Sequence, residues 1–152
     1  MSVTVIRQAI VARLQAVPSI GVVHDHERYA IDMPKLKSLY VTDGQLRGWF
    51  VRRLKLSEMG KIQPRSVEVT RWRLQGLMAL DDAAASERTF DDLVDAVRDA
   101  FRGDDTLGGT VAQCSLPDGS AAGVQIEDAG PVMFAGVLCH SARLVLHTVR
   151  YL

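Results

Sequence analysis

Residues 86–103 read SERTFDDLVDAVRDAFRG, and this stretch decides the fold. Its apolar residues recur at three- and four-residue steps, which predicts an amphipathic helix. Ser86 or Thr89 can cap its start, and Gly103 is placed to end it. The apolar face consists of Phe90, Leu93, Val94, Val97 and Phe101. Such a face must be covered by a second layer of structure.

The segments that flank the helix have the alternation expected of strands. Residues 46–56 carry apolar side chains at even positions, while Arg53 and Lys55 end the odd set, which predicts a strand with one solvated face. Residues 66–80 are rich in β-formers but change phase, which predicts a bulge or bend near Thr70 and Arg71. After the helix, residues 122–127 and 132–149 are further candidates. The second of these runs is apolar on both faces, which predicts a strand or strand pair at the sheet centre, broken near Gly136.

The first forty residues add a helix and an edge strand. A stripe from Val3 to Val17 predicts a helix over about residues 4–16, closed by Pro18. Residues 22–29 are too polar for a sheet centre, which favours an edge strand or one with a wet face, and residues 34–40 suggest one helical turn. The predicted fold is α+β, a mostly antiparallel sheet with two main helices on one face, and residues 1–152 are expected to form a single domain.

Composition narrows the classes of function. The 152 residues contain 18 Lys plus Arg and 18 Asp plus Glu, so no net charge draws the chain toward nucleic acid or an anionic membrane, and a protein partner is favoured. Cys114 and Cys139 have no metal-ligand spacing and are too few for a disulfide framework, which favours a reducing compartment. With no signal-peptide pattern and no apolar run near the ~18 residues of a membrane span, we expect a cytoplasmic protein.

Two groups of residues are candidates for chemistry. His24 and His26 are spaced to share a metal on one strand face, but no third ligand is marked nearby, so exposed strand histidines are favoured. Asp81 and Asp82, followed by Glu87, suit a paired-carboxylate or magnesium site, yet no phosphate-binding loop accompanies them, and solvated loop residues are favoured. We therefore predict no catalytic, cofactor-binding or metal-binding residues and no enzymatic activity.

A basic cluster is the strongest candidate for an interaction site. A sheet that binds single-stranded nucleic acid has a similar mixture of arginines and aromatics, but the neutral chain favours a surface that faces another subunit. Tryptophan and arginine are enriched at the centres of such contacts. We expect acidic residues of a neighbouring copy to face the cluster. The candidate interface residues are Arg47, Trp49, Arg52, Arg53 and Lys55, with Asp81 and Asp82 as the acidic counterpart.

The order of several short segments resembles a known family. They are Arg28-Tyr29, GWFVRR (48–53), WRLQGLMALDD (72–82), SERTF (86–90), GPVMF (130–134) and LCHSARL (138–144). In this succession the chain resembles the small tail-completion proteins of long-tailed bacteriophages and prophages. The resemblance is closest to the tail terminators, with head-to-tail neck proteins as near neighbours.

The resemblance implies a structural protein of the virion. Such proteins have a sheet with helices on one side, lack enzymatic activity and cofactors, and form a ring, commonly a hexamer. The ring ends polymerisation of the tail tube at the head-proximal end of the tail and provides the surface to which the head docks, after assembly in the host cytoplasm. The implied partners are further copies of the chain, the tail tube protein and a head-completion or neck protein. DNA would only pass through the lumen, and no membrane is involved.

Two alternatives stay open at this stage. A neck or connector protein would form a ring with the same type of fold. A small metal-dependent enzyme or binding module, resting on His24, His26 and the pair Asp81 and Asp82, is less favoured.

Overall fold

The computed structural model describes residues 2–60 and 66–152. In this part of the chain, strands outnumber helices and most of them follow one another directly. The elements are α1 (Val3–Gln15), β1 (Val22–His24), α2 (Met33–Ser38), β2 (Val41–Thr42), β3 (Gln45–Gly60), β4 (Ser66–Ala79), a 3-10 turn (Asp82–Ala84), α3 (Ser86–Arg102), β5 (Gln125–Phe134) and β6 (Val137–Tyr151).

The strands form one sheet in the order β1-β3-β4-β6-β5, with β2 paired to the start of β3. Every pairing is antiparallel except that of β1 with β3. The predicted α+β class with a mostly antiparallel sheet is confirmed. The polar strand that begins at Val22 lies at an edge, as predicted, but it ends at His24 because the chain then leaves the sheet.

Both long helices pack on the same face of the sheet, as predicted. From α1, Ile6, Ile10 and Leu14 are buried there, and α3 buries all five apolar residues expected from its periodicity. They cover a layer of strand residues from β3, β4 and β6, which are fully or almost fully removed from water. The largest of these are Trp49, Trp72, Leu74, Leu144 and Leu146. Burial of this layer is the main apolar contribution to stability.

The opposite side of the sheet, called here the open face, has two small apolar clusters. The short helix α2 covers the first, which includes Tyr40, Phe50 and Leu77. The second lies at the far end of the strands, where Val69 and Val149 pack with Leu116 from the loop that follows α3. Cationic side chains of β3, β4 and β6 lie between the two clusters. The open face is therefore apolar at its ends and charged in its middle.

The sequence prediction for strand β4 is wrong. Strand β4 pairs with β6 without interruption from Val67 to Ala79, so it has no bulge near Thr70 and Arg71. The extra residue is Leu54 of β3, between the pairs Arg53–Trp72 and Lys55–Arg71. The apolar pattern of β4 changes phase because its ends contact the clusters of the open face while its middle contacts the helices.

The final strand run is a hairpin. Strands β5 and β6 are joined by Ala135 and Gly136, both with positive φ (51° and 78°), as in the tight turns that connect antiparallel strands. The predicted break near Gly136 is confirmed. Only β6 has an inner position in the sheet, however, since β5 is the edge strand. Residues 122–127 form no strand of their own, because β5 begins at Gln125 and continues to Phe134.

Candidate functional site

The basic cluster is divided between the two faces of the sheet. Arg52, Arg53 and Lys55 are exposed on β3, and Arg52 pairs with Glu27 at 3.4 Å. Arg53 and Lys55 have no ion-pair partner within 4.0 Å in the part of the chain that the structure describes. Arg53 pairs with Trp72 on the helix side of the sheet, and Lys55 pairs with Arg71 on the open face. Each face of β3 therefore has a cation that is available to another molecule.

Two members of the predicted cluster are partly or fully buried, which corrects the sequence prediction. Trp49 is fully buried beneath the helices, where its ring stacks with that of Phe90 at 6.4 Å between centroids. Arg47 also points to the helix side and donates to the Gln45 side chain at 2.9 Å and to the Ser19 carbonyl at 3.4 Å. Since successive residues of a strand face opposite sides, β3 separates Trp49 from Arg52.

Asp81 and Asp82 are exposed at the far end of β4. Asp81 accepts a hydrogen bond from the Ala84 backbone N–H at 3.4 Å and so caps the 3-10 turn. Arg53 pairs with Trp72 of β4, and the aspartates follow Trp72 by about nine residues. At the rise of an extended chain this separates them from Arg53 by about 30 Å. The exposed cations near Arg53 therefore do not meet these aspartates within one chain.

A groove between α3 and β5, which the sequence did not reveal, is one of several concave surfaces in the described part of the chain. One wall is formed by Glu87, Asp91 and Asp95 of α3, spaced at four residues, and the other by the exposed strand β5. The groove has a volume of about 350 Å³ and adjoins a second depression of about 410 Å³ at the start of α3. Its other lining residues include Phe90, Val94, Ile126, Ala129, Pro131, His140 and Ala142. We call it the α3–β5 groove.

A serine and a histidine meet where the two depressions adjoin. Ser86 Oγ lies 2.7 Å from His140 Nε2 and accepts a hydrogen bond from the Asp81 backbone N–H at 2.8 Å. The His140 ring stacks on Phe90 with centroids 5.7 Å apart. Within residues 2–60 and 66–152 no carboxylate bonds to His140, and Ser86 is buried. The pair therefore joins the start of α3 to β6 and lacks the third group and the accessible oxygen of a hydrolase triad.

The two N-terminal histidines have separate partners. Nε2 of His24 lies 2.6 Å from the Leu39 carbonyl oxygen, and its ring contacts Tyr40 edge-on at 4.9 Å. His26 is exposed and bonds to Asp25. Among the described residues, no three His, Cys, Asp or Glu side chains come together as metal ligands.

Neither cysteine is poised as a nucleophile. Both thiols are free and buried. Burial raises the pKa of Cys114 to about 12 and that of Cys139 to about 11. Because the thiolate is the reactive form, these side chains act as small apolar groups of the core.

Charge on the open face is partly compensated. Glu127, at a register shift in β5, pairs with Arg71 at 3.1 Å and Arg73 at 3.9 Å. His147 lies beside Arg71 in the adjacent strand, and its burial, together with the Arg71 charge, lowers its pKa. Arg143 is exposed nearby. The middle of the open face thus keeps a moderate excess of positive charge.

Comparison with known proteins adds no assignment. No protein family model matches the chain, and no curated protein matches its sequence. No helix within the described ranges is long and apolar enough to cross a membrane.

Proposed function

We propose that this chain is a structural protein of a long-tailed bacteriophage or prophage, a tail terminator that forms a ring on the last ring of tail tube protein. The ring ends polymerisation of the tube and provides the surface to which the head docks. In this proposal the chain acts through contacts with copies of itself, with the tail tube protein and with a head-completion or neck protein. It needs no cofactor, and DNA only passes through the lumen.

The observation that carries the proposal is the exposure of β5. Nine of its ten residues are exposed, and only the last, Phe134, is partly buried. Ile126 and Met133 of β5 and Leu138 of β6 are large apolar side chains left in water. A strand edge without a neighbour can pair with another chain, and grouped apolar side chains on a surface mark protein contacts. These features support a protein that works by assembly.

The separation of charge supports a head-to-tail arrangement of copies. The cations are on β3, at Arg52, Arg53 and Lys55. The carboxylates lie after the end of β4, at Asp81 and Asp82, and along the acidic wall of α3. In a closed ring each subunit meets the next through two different patches. A neutral chain with separated patches of opposite charge suits such a contact.

The test is electron microscopy of particles assembled without this protein. A tail terminator is expected to leave tails of abnormal, extended length, because tube growth is no longer stopped. Tails of normal length that are detached from filled heads would instead indicate a neck protein. Particles of normal form and infectivity would contradict both roles.

A further inference from the structure

A second exposed apolar surface lies on the opposite edge of the sheet from β5. From the segment after β1 to the first residue of α2, the chain contains three large apolar side chains at alternate positions: Tyr29 is 75% exposed, Ile31 94% and Met33 60%. Single exposed apolar residues are common, but three in five positions form a patch of the kind that marks protein contacts. We call residues 28–33 the arm.

The arm is held in place at both ends. The Arg28 backbone N–H donates to the Tyr40 hydroxyl at 3.4 Å, and Glu27, just before the arm, pairs with Arg52 of β3. At the other end, Asp32 caps α2 by accepting a hydrogen bond from the Lys35 N–H at 2.9 Å. A segment fixed in this way loses little conformational freedom on binding, which favours affinity.

The α3–β5 groove has the complementary character. Phe90, Val94 and Ala142 give its lining an apolar part, and its α3 wall presents carboxylates. Glu87 and Asp91 have no ion-pair partner within 4.0 Å in the described chain. On the arm side, α2, β3 and the segments beside them contain six cations besides Arg47, against five carboxylates, Asp25, Glu27, Asp32, Asp43 and Glu58. The six cations are Arg28, Lys35, Lys37, Arg52, Arg53 and Lys55. Arg53 and Lys55 have no ion-pair partner among the described residues, whereas Arg52 pairs with Glu27 and Lys35 with Asp32.

The arm cannot fill the groove of its own chain. It follows β1 at one edge of the sheet, and the groove lies along β5 at the other edge, with β3, β4 and β6 between them. Four strand spacings correspond to about 19 Å. One end of the arm is held at its own edge by the bond between Arg28 and Tyr40, and the other continues into α2, whose Leu36 packs against the cluster that includes Tyr40. An apolar, cationic projection and an apolar, acidic groove on opposite edges of one molecule can therefore meet only between two copies.

We propose that the arm of one copy occupies the α3–β5 groove of the next, with Tyr29 and Ile31 against its apolar lining and the cations beside the arm facing Glu87 and Asp91. The contact is head-to-tail, so repetition of it closes a ring when the rotation between copies allows. This inference rests on the self-association in the proposed function and specifies the surfaces that mediate it.

The test uses one variant for each side of the contact. Ile31→Asp places a charge in the arm at an exposed position, and Ala129→Trp fills the groove from the exposed strand β5. Val5→Asp, at an exposed apolar position of α1, is the matched control. Circular dichroism verifies folding, and sedimentation velocity measures the size of each species over a range of concentrations.

Wild type and Val5→Asp are expected to form the same oligomer, while Ile31→Asp and Ala129→Trp are each monomeric. Their dissociation constants should rise roughly 30-fold or more, the loss expected of a central interface residue. An equimolar mixture of the two variants should yield a heterodimer, since one copy retains an intact groove and the other an intact arm.

The outcomes separate this inference from the proposed function. If folded Ile31→Asp keeps the wild-type mass, or if the two variants do not combine, the arm and groove do not contact each other, and the ring itself is unaffected by that result. If wild type is monomeric at every concentration, both the contact and the proposed ring are rejected.

Discussion

Gly76 of β4 lies directly opposite Trp49 of β3, and the missing side chain of the glycine makes room for the indole. A Cβ atom built on Gly76 would fall 2.4 Å from Cζ2 of Trp49. Trp49 is fully buried and stacks against Phe90 of α3. The pair therefore determines how closely α3 can approach the middle of the sheet.

Replacing Gly76 by alanine should destabilise the protein by about 1–3 kcal/mol, because the added methyl must displace the Trp49 ring or one of the strands. Gly60→Ala is the matched control, since a Cβ at this β3 glycine meets no atom of the described residues within 4 Å. Urea unfolding followed by tryptophan fluorescence measures both. An unfolding midpoint of Gly76→Ala equal to that of wild type would show that the indole has other space available.

Phe101→Ala should reduce the free energy of unfolding by about 3–5 kcal/mol, the range for deleting a buried phenylalanine ring. Phe101 is fully removed from solvent in the last turn of α3. Denaturant titration of the variant provides the value. A loss below about 1 kcal/mol would be typical of an exposed position and would contradict this packing of α3.

The two N-terminal histidines should respond differently to substitution. His24→Ala should cost about 1 kcal/mol, because the hydrogen bond to the Leu39 carbonyl and the contact with Tyr40 are lost. His26→Ala, at an exposed side chain, should change stability by less than about 0.5 kcal/mol.

Metal analysis of the same proteins tests the proposed absence of a metal role for these histidines. Wild type and the double variant His24→Ala/His26→Ala should contain the same negligible amounts of transition metal after purification. A stoichiometric metal ion in wild type that the double variant lacks would support the metal-dependent alternative.

Reversal of Arg52 and Arg53 to glutamate should weaken ring formation at low salt, because two exposed cations that attract acidic residues of a neighbour become repulsive. Wild-type assembly should itself weaken with ionic strength, and the variant should show less of this dependence. Light scattering across a salt series, after circular dichroism has verified folding, measures the effect. Assembly of the variant equal to that of wild type at low salt would place these arginines outside the interface.

Asp104 should contribute to acid sensitivity. Its carboxylate accepts hydrogen bonds from the Thr106 hydroxyl at 2.6 Å, from the Thr106 N–H at 3.0 Å and from the Gly108 N–H at 2.9 Å, and these bonds hold its pKa well below the usual 3.8. A carboxyl whose pKa is lower in the folded state than in the unfolded state stabilises the protein when the pH is above the unfolded-state pKa. This stabilisation is lost as the pH falls from the unfolded-state pKa through the folded-state pKa.

Comparison of wild type with Asp104→Asn checks this assignment. Wild type should be the more stable at pH 7, and the difference in urea midpoint should shrink as the pH falls below 4 toward 2. A difference that stays constant over this range would show that the carboxylate charge is not involved.

The sequence was most informative where local periodicity determines structure. The apolar spacing of α3 and α1 depends only on neighbouring turns, so their buried faces were predicted correctly. The bulge was assigned to β4 instead of Leu54 because strand register depends on pairing with distant segments. Composition alone could not tell which residues of β3 face the helices, so Trp49 was grouped with Arg52.

The α3–β5 groove was beyond the reach of sequence patterns for a related reason. It arises because an edge strand that begins at Gln125 lies beside a helix that ends at Arg102, which is a tertiary relationship. One local signal was present, since Glu87, Asp91 and Asp95 repeat at four-residue steps on the exposed side of the helix. That repeat indicates an acidic stripe, but it does not indicate that a strand completes a groove beside it.

The order of strands in the sheet has a consequence for the synthesis of the chain on the ribosome. Strand β4 has β3 and β6 as neighbours, so one of its two edges stays without a partner until residues 137–151 have been made. Edge strand β5 likewise depends on β6 alone. A nascent chain that stops before β6 therefore presents unpaired strands and an uncovered apolar layer to solvent, a state prone to aggregation. The sheet is therefore completed only when β6 inserts between β4 and β5, two strands that precede it in the chain.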